Sequence, residues 1–246
     1  MVAIQAANNE TGVLQPIDVA ARVCDANGAA LVVDAVQAIG KTPFDLPSSG
    51  AAAVAVSAHK FGGPKGVGAI IFNGDRLRAT RAFIAGGGQE GRRRSGTENV
   101  AGVVAMGAAI EEAAGEAASL AMRLGAWRDQ TESAMRAAAP ELVAFGRDAP
   151  RLANVSLVAI PGLSAETLLM AFDLAGVALS SGAACSSGKV ARSHVLDAMG
   201  VSPTLAEGAI RISFGWSTAE EEVIRFQAIF AKAIQSLFER KNRRAA

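Results

Sequence analysis

Short apolar segments alternate with amphipathic ones through the first part of the chain. Residues 30–33 are continuously apolar, which is typical of a parallel strand that is buried on both faces. Before this run, Pro16 and Asp18 mark the beginning of a helix and Gly28 marks its end. This alternation favours an α/β fold, in which helices cover the faces of a sheet. The predicted strands of this region are residues 1–6, 30–33, 53–57 and 68–72.

The pattern changes in the middle of the chain, where residues 99–139 are rich in alanine and mainly helical in character. Beyond them, strand and helix patterns mix, which predicts a smaller α+β domain. We therefore expect two domains, residues 1–115 and residues 116–246, with the boundary inside the long helical stretch. The elements predicted in the second domain are strands at residues 154–160 and 209–214 and helices at residues 165–174 and 218–240.

Composition and charge exclude several classes of protein. The net charge is +1, and no apolar run approaches the roughly 20 residues of a membrane span, so neither a nucleic-acid partner nor a membrane is expected. The two cysteines, Cys24 and Cys185, cannot form a disulfide framework or a four-cysteine zinc site. We therefore expect a cytoplasmic protein without an intrinsic metal. The basic run at residues 92–94 lacks interleaved aromatics and is interpreted as a solvated or interface turn.

Lys60 lies where a predicted buried strand ends. Burying a lysine costs free energy, and a desolvated lysine can form a Schiff base with a carbonyl compound, so its position there indicates chemistry. Alternation along the strand would place Ser57 and His59 on one side, where they could bind a phosphate, and Lys60 on the other. A surface lysine beside a turn is the alternative.

Asp34 follows the preceding predicted strand, at the carboxyl edge where open α/β sheets bind ligands. Pyridoxal phosphate requires a Schiff-base lysine and an acid that pairs with its pyridine nitrogen, and Lys60 and Asp34 could supply both. Gln37 could donate a hydrogen bond to the phenolic oxygen of the ring. The alternatives are a helix N-cap for Asp34 and a surface amide for Gln37.

Two residues of the second half have candidate roles. Arg211 lies in a predicted strand beside the small residues Ala209 and Ser213, which leave room for its guanidinium to bind a carboxylate. A structural salt bridge is the alternative. Cys185 lies in a run rich in serine and glycine that would expose its thiol as a nucleophile, whereas Cys24 lies on an apolar helix face. We expect Cys24 to be a buried hydrophobic residue.

The chain contains six short motifs, which are Asn8-Asn9-Glu10-Thr11-Gly12, Val33-Asp34-Ala35-Val36-Gln37, Ser57-Ala58-His59-Lys60, Arg94-Ser95-Gly96-Thr97, Ser180-Ser181-Gly182-Ala183-Ala184-Cys185-Ser186 and Ile210-Arg211-Ile212-Ser213. In order and spacing, these motifs are similar to those of the class V aminotransferase superfamily of fold type I. Within it, they resemble the group I cysteine desulfurases of the NifS/IscS type. The resemblance covers almost the whole chain and implies the C-terminal part of the large, mostly parallel domain in residues 1–115, followed by a small α+β domain with the cysteine loop.

The resemblance implies a site for pyridoxal 5'-phosphate. Lys60 would hold the cofactor as a Schiff base, and Asp34 and Gln37 would contact its pyridine nitrogen and phenolic oxygen. Thr97 would reach the phosphate of the cofactor in the other subunit, which implies a homodimer. The residues implied to bind the cofactor are Asn9, Asp34, Gln37, Ser57, His59, Lys60 and Thr97.

The implied reaction converts L-cysteine to L-alanine. Arg211 would bind the α-carboxylate of the substrate, with Asn9 nearby. Cys185 would attack the substrate sulfur and become a persulfide, which would pass to a sulfur-acceptor or scaffold protein for iron–sulfur cluster assembly.

The sequence departs from the family pattern at its beginning. Family members carry further residues before the motif at Asn8-Asn9, including a histidine that stacks on the cofactor ring, and neither His59 nor His194 matches that histidine. We therefore expect the C-terminal part of a desulfurase. Two alternatives stay open: a non-catalytic remnant that dimerises or binds a partner, and another class V lyase such as a selenocysteine lyase.

Overall fold

A computed structural model describes residues 1–74, 76–78, 80–82, 84–182 and 193–245, without the side chains of residues 241, 242, 244 and 245. The chain divides into two compact units. The first consists of Met1–Asn8 and Leu14–Ser119, and the second consists of Asn9–Val13 and the chain from Leu120 onward. The division falls inside a 39-residue helix, Val100–Ala138, which also contains the predicted boundary between residues 115 and 116.

The first unit contains a four-stranded sheet in the order β1-β2-β3-β4. Strands β1, β2 and β3 are parallel, and β4 is antiparallel to β3. Helix α1 connects β1 to β2, and α2 is one distorted turn that precedes the long helix α3. The α/β fold predicted for this region is confirmed. The elements are β1 (Val2–Gln5), α1 (Ile17–Ala26), β2 (Leu31–Asp34), β3 (Ala53–Ser57), β4 (Gly68–Phe72), α2 (Gln89–Arg92) and α3 (Val100–Ala138).

Burial explains why these segments form these elements. Strand β3 is the most deeply buried strand of the first unit, and its Val54 and Val56 pack with Leu31 and Val33 of β2 in one apolar core. Helix α1 buries Ala21 and Cys24 in the same core, as expected for the apolar face on which Cys24 was placed. The core therefore fixes β2 and β3 side by side, and with them the residues that follow each strand.

The second unit contains an antiparallel sheet in the order β5-β6-β8-β7, with helices packed on it. This is the α+β arrangement that the sequence predicts. The two-residue strands β5 and β7 and the short helices α5 and α6 were not predicted. The elements are β5 (Val143–Ala144), β6 (Val155–Ala159), α4 (Ala165–Leu174), β7 (Ser180–Ser181), α5 (His194–Ala198), α6 (Pro203–Ala206), β8 (Ile210–Ser213) and α7 (Glu220–Ala245).

Three phenylalanines form the centre of the core of the second unit. Phe172 of α4 packs against Phe226 and Phe230 of α7, with ring centroids 5.7–6.0 Å apart within the trio. Strand β8 contributes Ile210 and Ile212 to the same core, while Arg211 points to the opposite face. Within the described part of the chain, no helix combines the length and apolar character needed to cross a membrane.

Candidate active site

The carboxyl ends of β2 and β3 bring Asp34 and residues 57–60 to one edge of the first sheet. The two strands are parallel neighbours, with Asp34 in register with Ala55. The next backbone amide, that of Ala35, donates to the Ala55 carbonyl at 3.0 Å. Because parallel strands end at the same edge, the groups that follow them share the region where such sheets bind ligands.

Asp34 has a local structural role and one uncommitted oxygen. Its Oδ1 accepts a hydrogen bond from the backbone amide of Val36 at 3.0 Å, which stabilises the turn after β2. This contact resembles the capping role considered as the alternative, although a series of turns follows here rather than a helix. Oδ2 accepts no hydrogen bond from the described residues, and the side chain is exposed. Asp34 can therefore support the turn and still offer a carboxylate oxygen to a cationic partner.

Lys41 fixes the orientation of the Gln37 amide. Lys41 Nζ donates to Gln37 Oε1 at 2.7 Å, and a lysine ammonium can only donate. The amide oxygen of Gln37 must therefore face Lys41, which leaves the Nε2 hydrogens free to donate elsewhere. The side chain is half-buried rather than a fully exposed surface amide. Lys41 had not been singled out from the sequence, because a lysine four residues after a glutamine is common on any surface.

Ser57 and His59 form a pair, although not through strand alternation. Strand β3 ends at Ser57, as predicted, and Ala58–Lys60 form a 3-10 turn, so the strand alternation expected to separate His59 from Lys60 does not apply to these residues. The turn is closed by the amide of Phe61, which donates to the Ala58 carbonyl at 3.1 Å. Ser57 Oγ and His59 Nδ1 still lie 3.0 Å apart, so a hydroxyl and an imidazole stand together at the sheet edge. Both groups can donate hydrogen bonds to an anion.

Lys60 ends this 3-10 turn and is half-buried. It accordingly lies beyond the buried strand rather than inside it. None of the described residues accepts a hydrogen bond from its Nζ or forms an ion pair with it, so the amine is available for chemistry. Two glycines shape the turn beyond it. Gly62 has a φ of +91°, and a Cβ on Gly63 would lie 2.9 Å from the Ala58 Cβ and 3.1 Å from the Ala58 carbonyl oxygen.

Thr97 is exposed in the segment that precedes α3. The neighbouring Arg94 is engaged locally, because its Nη1 donates to the carbonyls of Ser95 and Gly96 at 3.1 and 2.5 Å, and its Nη2 contacts Glu90 Oε1 at 3.2 Å. These contacts agree with the interpretation of the basic run as a turn. Within the described part of the chain, the Thr97 hydroxyl makes no hydrogen bond.

Asn9 and Arg211 meet in the second unit. Strand β8 lies between β6 and β7, and Arg211 is in register with Leu157 on one side and Ser180 on the other. Arg211 Nη1 donates to the Asn9 carbonyl at 2.9 Å, whereas its Nε is buried and has no partner among the described residues. A buried guanidinium nitrogen without an acceptor costs free energy. The unpartnered Nε of Arg211 therefore indicates that a ligand with a hydrogen-bond acceptor binds beside it. A structural salt bridge, the alternative, is absent from the described contacts of Arg211.

Glu10, the residue after Asn9, belongs to the first motif, but the sequence predicts no role for it. Its buried carboxylate accepts a hydrogen bond from Ser193 Oγ, and Ser193 also caps helix α5 by accepting from the Leu196 amide at 3.1 Å. Ser193 follows residues 183–192, which lie outside the described residues and include Cys185. On the other side of that segment, the Gly182 amide donates to the Ala209 carbonyl at 3.0 Å. The described residues that flank the Cys185 segment are thus attached beside Arg211 and Asn9.

The first unit thus has a mostly parallel sheet with a lysine, a carboxylate and a hydroxyl–imidazole pair at the carboxyl edge of its parallel strands, as the resemblance to fold type I proteins implies. The chain belongs to the class V aminotransferase family, whose profile matches residues 1–226. A cysteine desulfurase of Sinorhizobium fredii is 38% identical over 239 residues, which cover 97% of this chain and 61% of that relative. One from Cereibacter sphaeroides is 42% identical over 222 residues, which cover 90% of this chain and 56% of the relative.

Solved structures of NifS-like proteins share the fold of this chain. The NifS-like protein from Rickettsia africae superimposes with a TM-score of 0.86 at 30% identity, covering 95% of this chain and 61% of the other. A second NifS-like protein gives a TM-score of 0.83 at 36% identity. These comparisons confirm the resemblance and the fold class. The chain spans 56–61% of the length of the two desulfurases named above.

Proposed function

We propose that this chain acts in a pyridoxal-phosphate-dependent cysteine desulfurase that forms L-alanine and a Cys185 persulfide from L-cysteine. The observation that carries the proposal is the free Lys60 amine at the same sheet edge as the uncommitted Asp34 oxygen. The similarity to cysteine desulfurases supports the choice of substrate among the reactions that this family carries out.

The residues at the sheet edge fit the cofactor in donor type and charge. Lys60 would hold it, and the free oxygen of Asp34 would pair with its protonated pyridine nitrogen. Ser57 and His59 would bind its phosphate, and Gln37 would donate through Nε2 because Lys41 already occupies its oxygen. When bound, pyridoxal phosphate supplies an electron sink for the bonds at the substrate α-carbon.

The second unit supplies groups that fit the substrate carboxylate. Arg211 would bind it through the guanidinium edge that contains the buried, unpartnered Nε, since a carboxylate accepts two parallel hydrogen bonds from such an edge. The Asn9 carbonyl would keep the guanidinium in place through the 2.9 Å contact with Nη1. The Asn9 side chain would lie near the substrate and the cofactor.

Cys185 is the proposed sulfur carrier. Cys24 is 4% exposed in the apolar core of the first unit, so it is a poor alternative nucleophile. The persulfide would pass its sulfur to an acceptor or scaffold protein of iron–sulfur cluster assembly, in the cytoplasm. The exposed Thr97 would complete the phosphate site of a second subunit in a homodimer.

The test compares Cys185→Ser with Cys24→Ser. The protein is supplied with pyridoxal phosphate and L-cysteine, persulfide is trapped with an alkylating reagent, and the modified peptide is identified by mass spectrometry. The proposal predicts an extra sulfur on the Cys185 peptide, its loss in Cys185→Ser and no change in Cys24→Ser. Alanine formation that persists in Cys185→Ser would favour a lyase that needs no protein thiol, such as a selenocysteine lyase. Cofactor binding without any product would favour the non-catalytic remnant.

A further inference from the structure

A polar cavity of about 470 Å³ lies in the second unit, apart from Arg211 and Asn9. It is formed by the last part of α3 and by the loop that connects β5 to β6. Its volume falls within the range of roughly 300–1,000 Å³ that is usual for small-molecule sites. The lining residues are Arg128, Asp129, Glu132, Ser133, Arg136, Arg147, Ala149, Pro150 and Arg151.

The helix places charges of alternating sign on this cavity. Arg128, Glu132 and Arg136 are spaced four residues apart on α3, so they share one face of the helix. The loop adds two more arginines, Arg147 and Arg151. The lining therefore holds four guanidinium groups and two carboxylates, and the balance is positive.

Both carboxylates of the lining are already neutralised. Arg151 binds Glu132 with both terminal nitrogens, at 2.9 and 3.3 Å, and the two side chains are only 4% and 6% exposed. Arg128 binds Asp129 at 2.8 Å and also donates to the Leu152 carbonyl at 2.8 Å. These two pairs use the acidic groups of the cavity and leave none for the remaining arginines.

Arg136 and Arg147 are the two cavity arginines without a counterion among the described residues. Arg136 is half-buried, and its Nε is shielded from solvent and has no hydrogen-bond partner within the described chain. Arg147 is exposed and likewise makes no ion pair with any described residue. A shielded, unpaired guanidinium nitrogen is costly unless a ligand supplies the acceptor.

We propose that this cavity binds a small molecule with two or more anionic oxygen groups, phosphates or carboxylates, between Arg136 and Arg147. One anionic group pairs with Arg136, and a second pairs with Arg147. The polar lining offers little apolar surface, so the ligand is recognised by charge and hydrogen bonds rather than by a hydrophobic body. The proposal is independent of the desulfurase chemistry, because it uses none of the residues assigned to the cofactor or the substrate.

The test measures the binding of pyrophosphate, inorganic phosphate and citrate to the purified protein by isothermal titration calorimetry. We expect pyrophosphate or citrate to bind more tightly than phosphate, because each carries two or more anionic groups. The comparison of pyrophosphate with citrate then shows whether the cavity prefers phosphate or carboxylate groups. Binding should weaken as salt is added, because exposed charges are screened. Arg136→Gln and Arg147→Gln should each weaken binding roughly 10-fold or more, which is the usual effect of losing a hydrogen bond to a charged group.

Arg240→Gln is the matched control, since it removes the same charge from an exposed position on α7 in the same unit. It should leave the affinity unchanged. Far-ultraviolet circular dichroism establishes that each variant is folded, and Arg136→Lys, which keeps the charge, should retain part of the affinity. Two results would overturn the proposal: no binding of any of the three anions at low salt, or an equal loss of binding in Arg240→Gln and Arg136→Gln.

Discussion

Replacing Glu132 by alanine is expected to destabilise the second unit by about 3–5 kcal/mol, the usual effect of removing one partner from a buried ion pair. Glu132 and Arg151 are almost completely shielded from water. The Glu132 carboxylate accepts from both terminal nitrogens of Arg151 and from Ser156 Oγ at 2.6 Å. The alanine variant would leave the Arg151 charge buried without a counterion.

The loss of stability in Glu132→Ala comes from the buried, unpaired Arg151 charge that remains, rather than from the attraction between the two charges that is lost. Desolvation of two charges largely cancels their mutual attraction in a protein interior. A variant that removes both charges, Glu132→Leu with Arg151→Met, should therefore lose much less stability than Glu132→Ala alone. The matched control is Glu239→Ala, which breaks an exposed pair with Arg243 in the same unit and should have little effect.

Tryptophan fluorescence reports specifically on the second unit. The chain has two tryptophans and no tyrosine, and both Trp127 and Trp216 belong to that unit. Urea unfolding followed by this signal gives the free energy of unfolding of each variant by linear extrapolation. A Glu132→Ala variant that is no less stable than Glu239→Ala would refute the stabilising role of the buried pair, as would a double variant that is the least stable of the three.

Three further predictions concern the pH dependence of the Glu132 pair, the turn after Lys60 and the substrate contact of Arg211. Burial raises the pKa of Glu132, but hydrogen bonds from Arg151 and Ser156 outweigh it, and the net pKa lies below the ordinary value of 4.5. The pair therefore stabilises the fold above about pH 4.5 and loses this effect as the pH falls further, so pH-dependent urea unfolding should show a steeper acid loss in the wild type than in Glu132→Gln. Gly63→Ala should displace the turn after Lys60 and weaken pyridoxal phosphate binding, measured by absorbance titration, and unchanged affinity would contradict this. Arg211→Gln should weaken L-cysteine binding to the cofactor-loaded protein, measured by the spectral change on titration, while cofactor affinity stays the same.

Local sequence patterns were sufficient to predict the main helices and strands of the fold. Helix α4 occupies Ala165–Leu174, as predicted, because Ser164 accepts from the Thr167 amide and gives the helix a defined beginning. Strand β8 shows the expected alternation, with Ile210 and Ile212 buried and Arg211 on the other face. Periodicity is informative in such segments because one face of each is buried.

Contacts between residues that are distant in the chain could not be predicted in this way. Residues 9–13 belong to the second unit, where the Leu152 amide donates to the Gly12 carbonyl at 2.8 Å. Glu10 and Glu132 are buried through partners 183 and 19 residues away, and nothing in their local sequence distinguishes them from solvated acids. The strands β5 and β7 have only two residues each, so pairing with their neighbours defines them rather than any pattern of their own.

The proposed role of Lys60 is to hold pyridoxal phosphate at the edge of the first sheet. Incubation of the protein with stoichiometric pyridoxal phosphate, reduction with borohydride and peptide mapping by mass spectrometry test it directly. Lys65 is the matched control, because it is an exposed lysine in the same glycine-rich segment. We expect the pyridoxyl group on Lys60, its loss in Lys60→Arg and its retention in Lys65→Arg. A label on Lys65 or another lysine, with Lys60 unmodified, would show that Lys60 does not hold the cofactor.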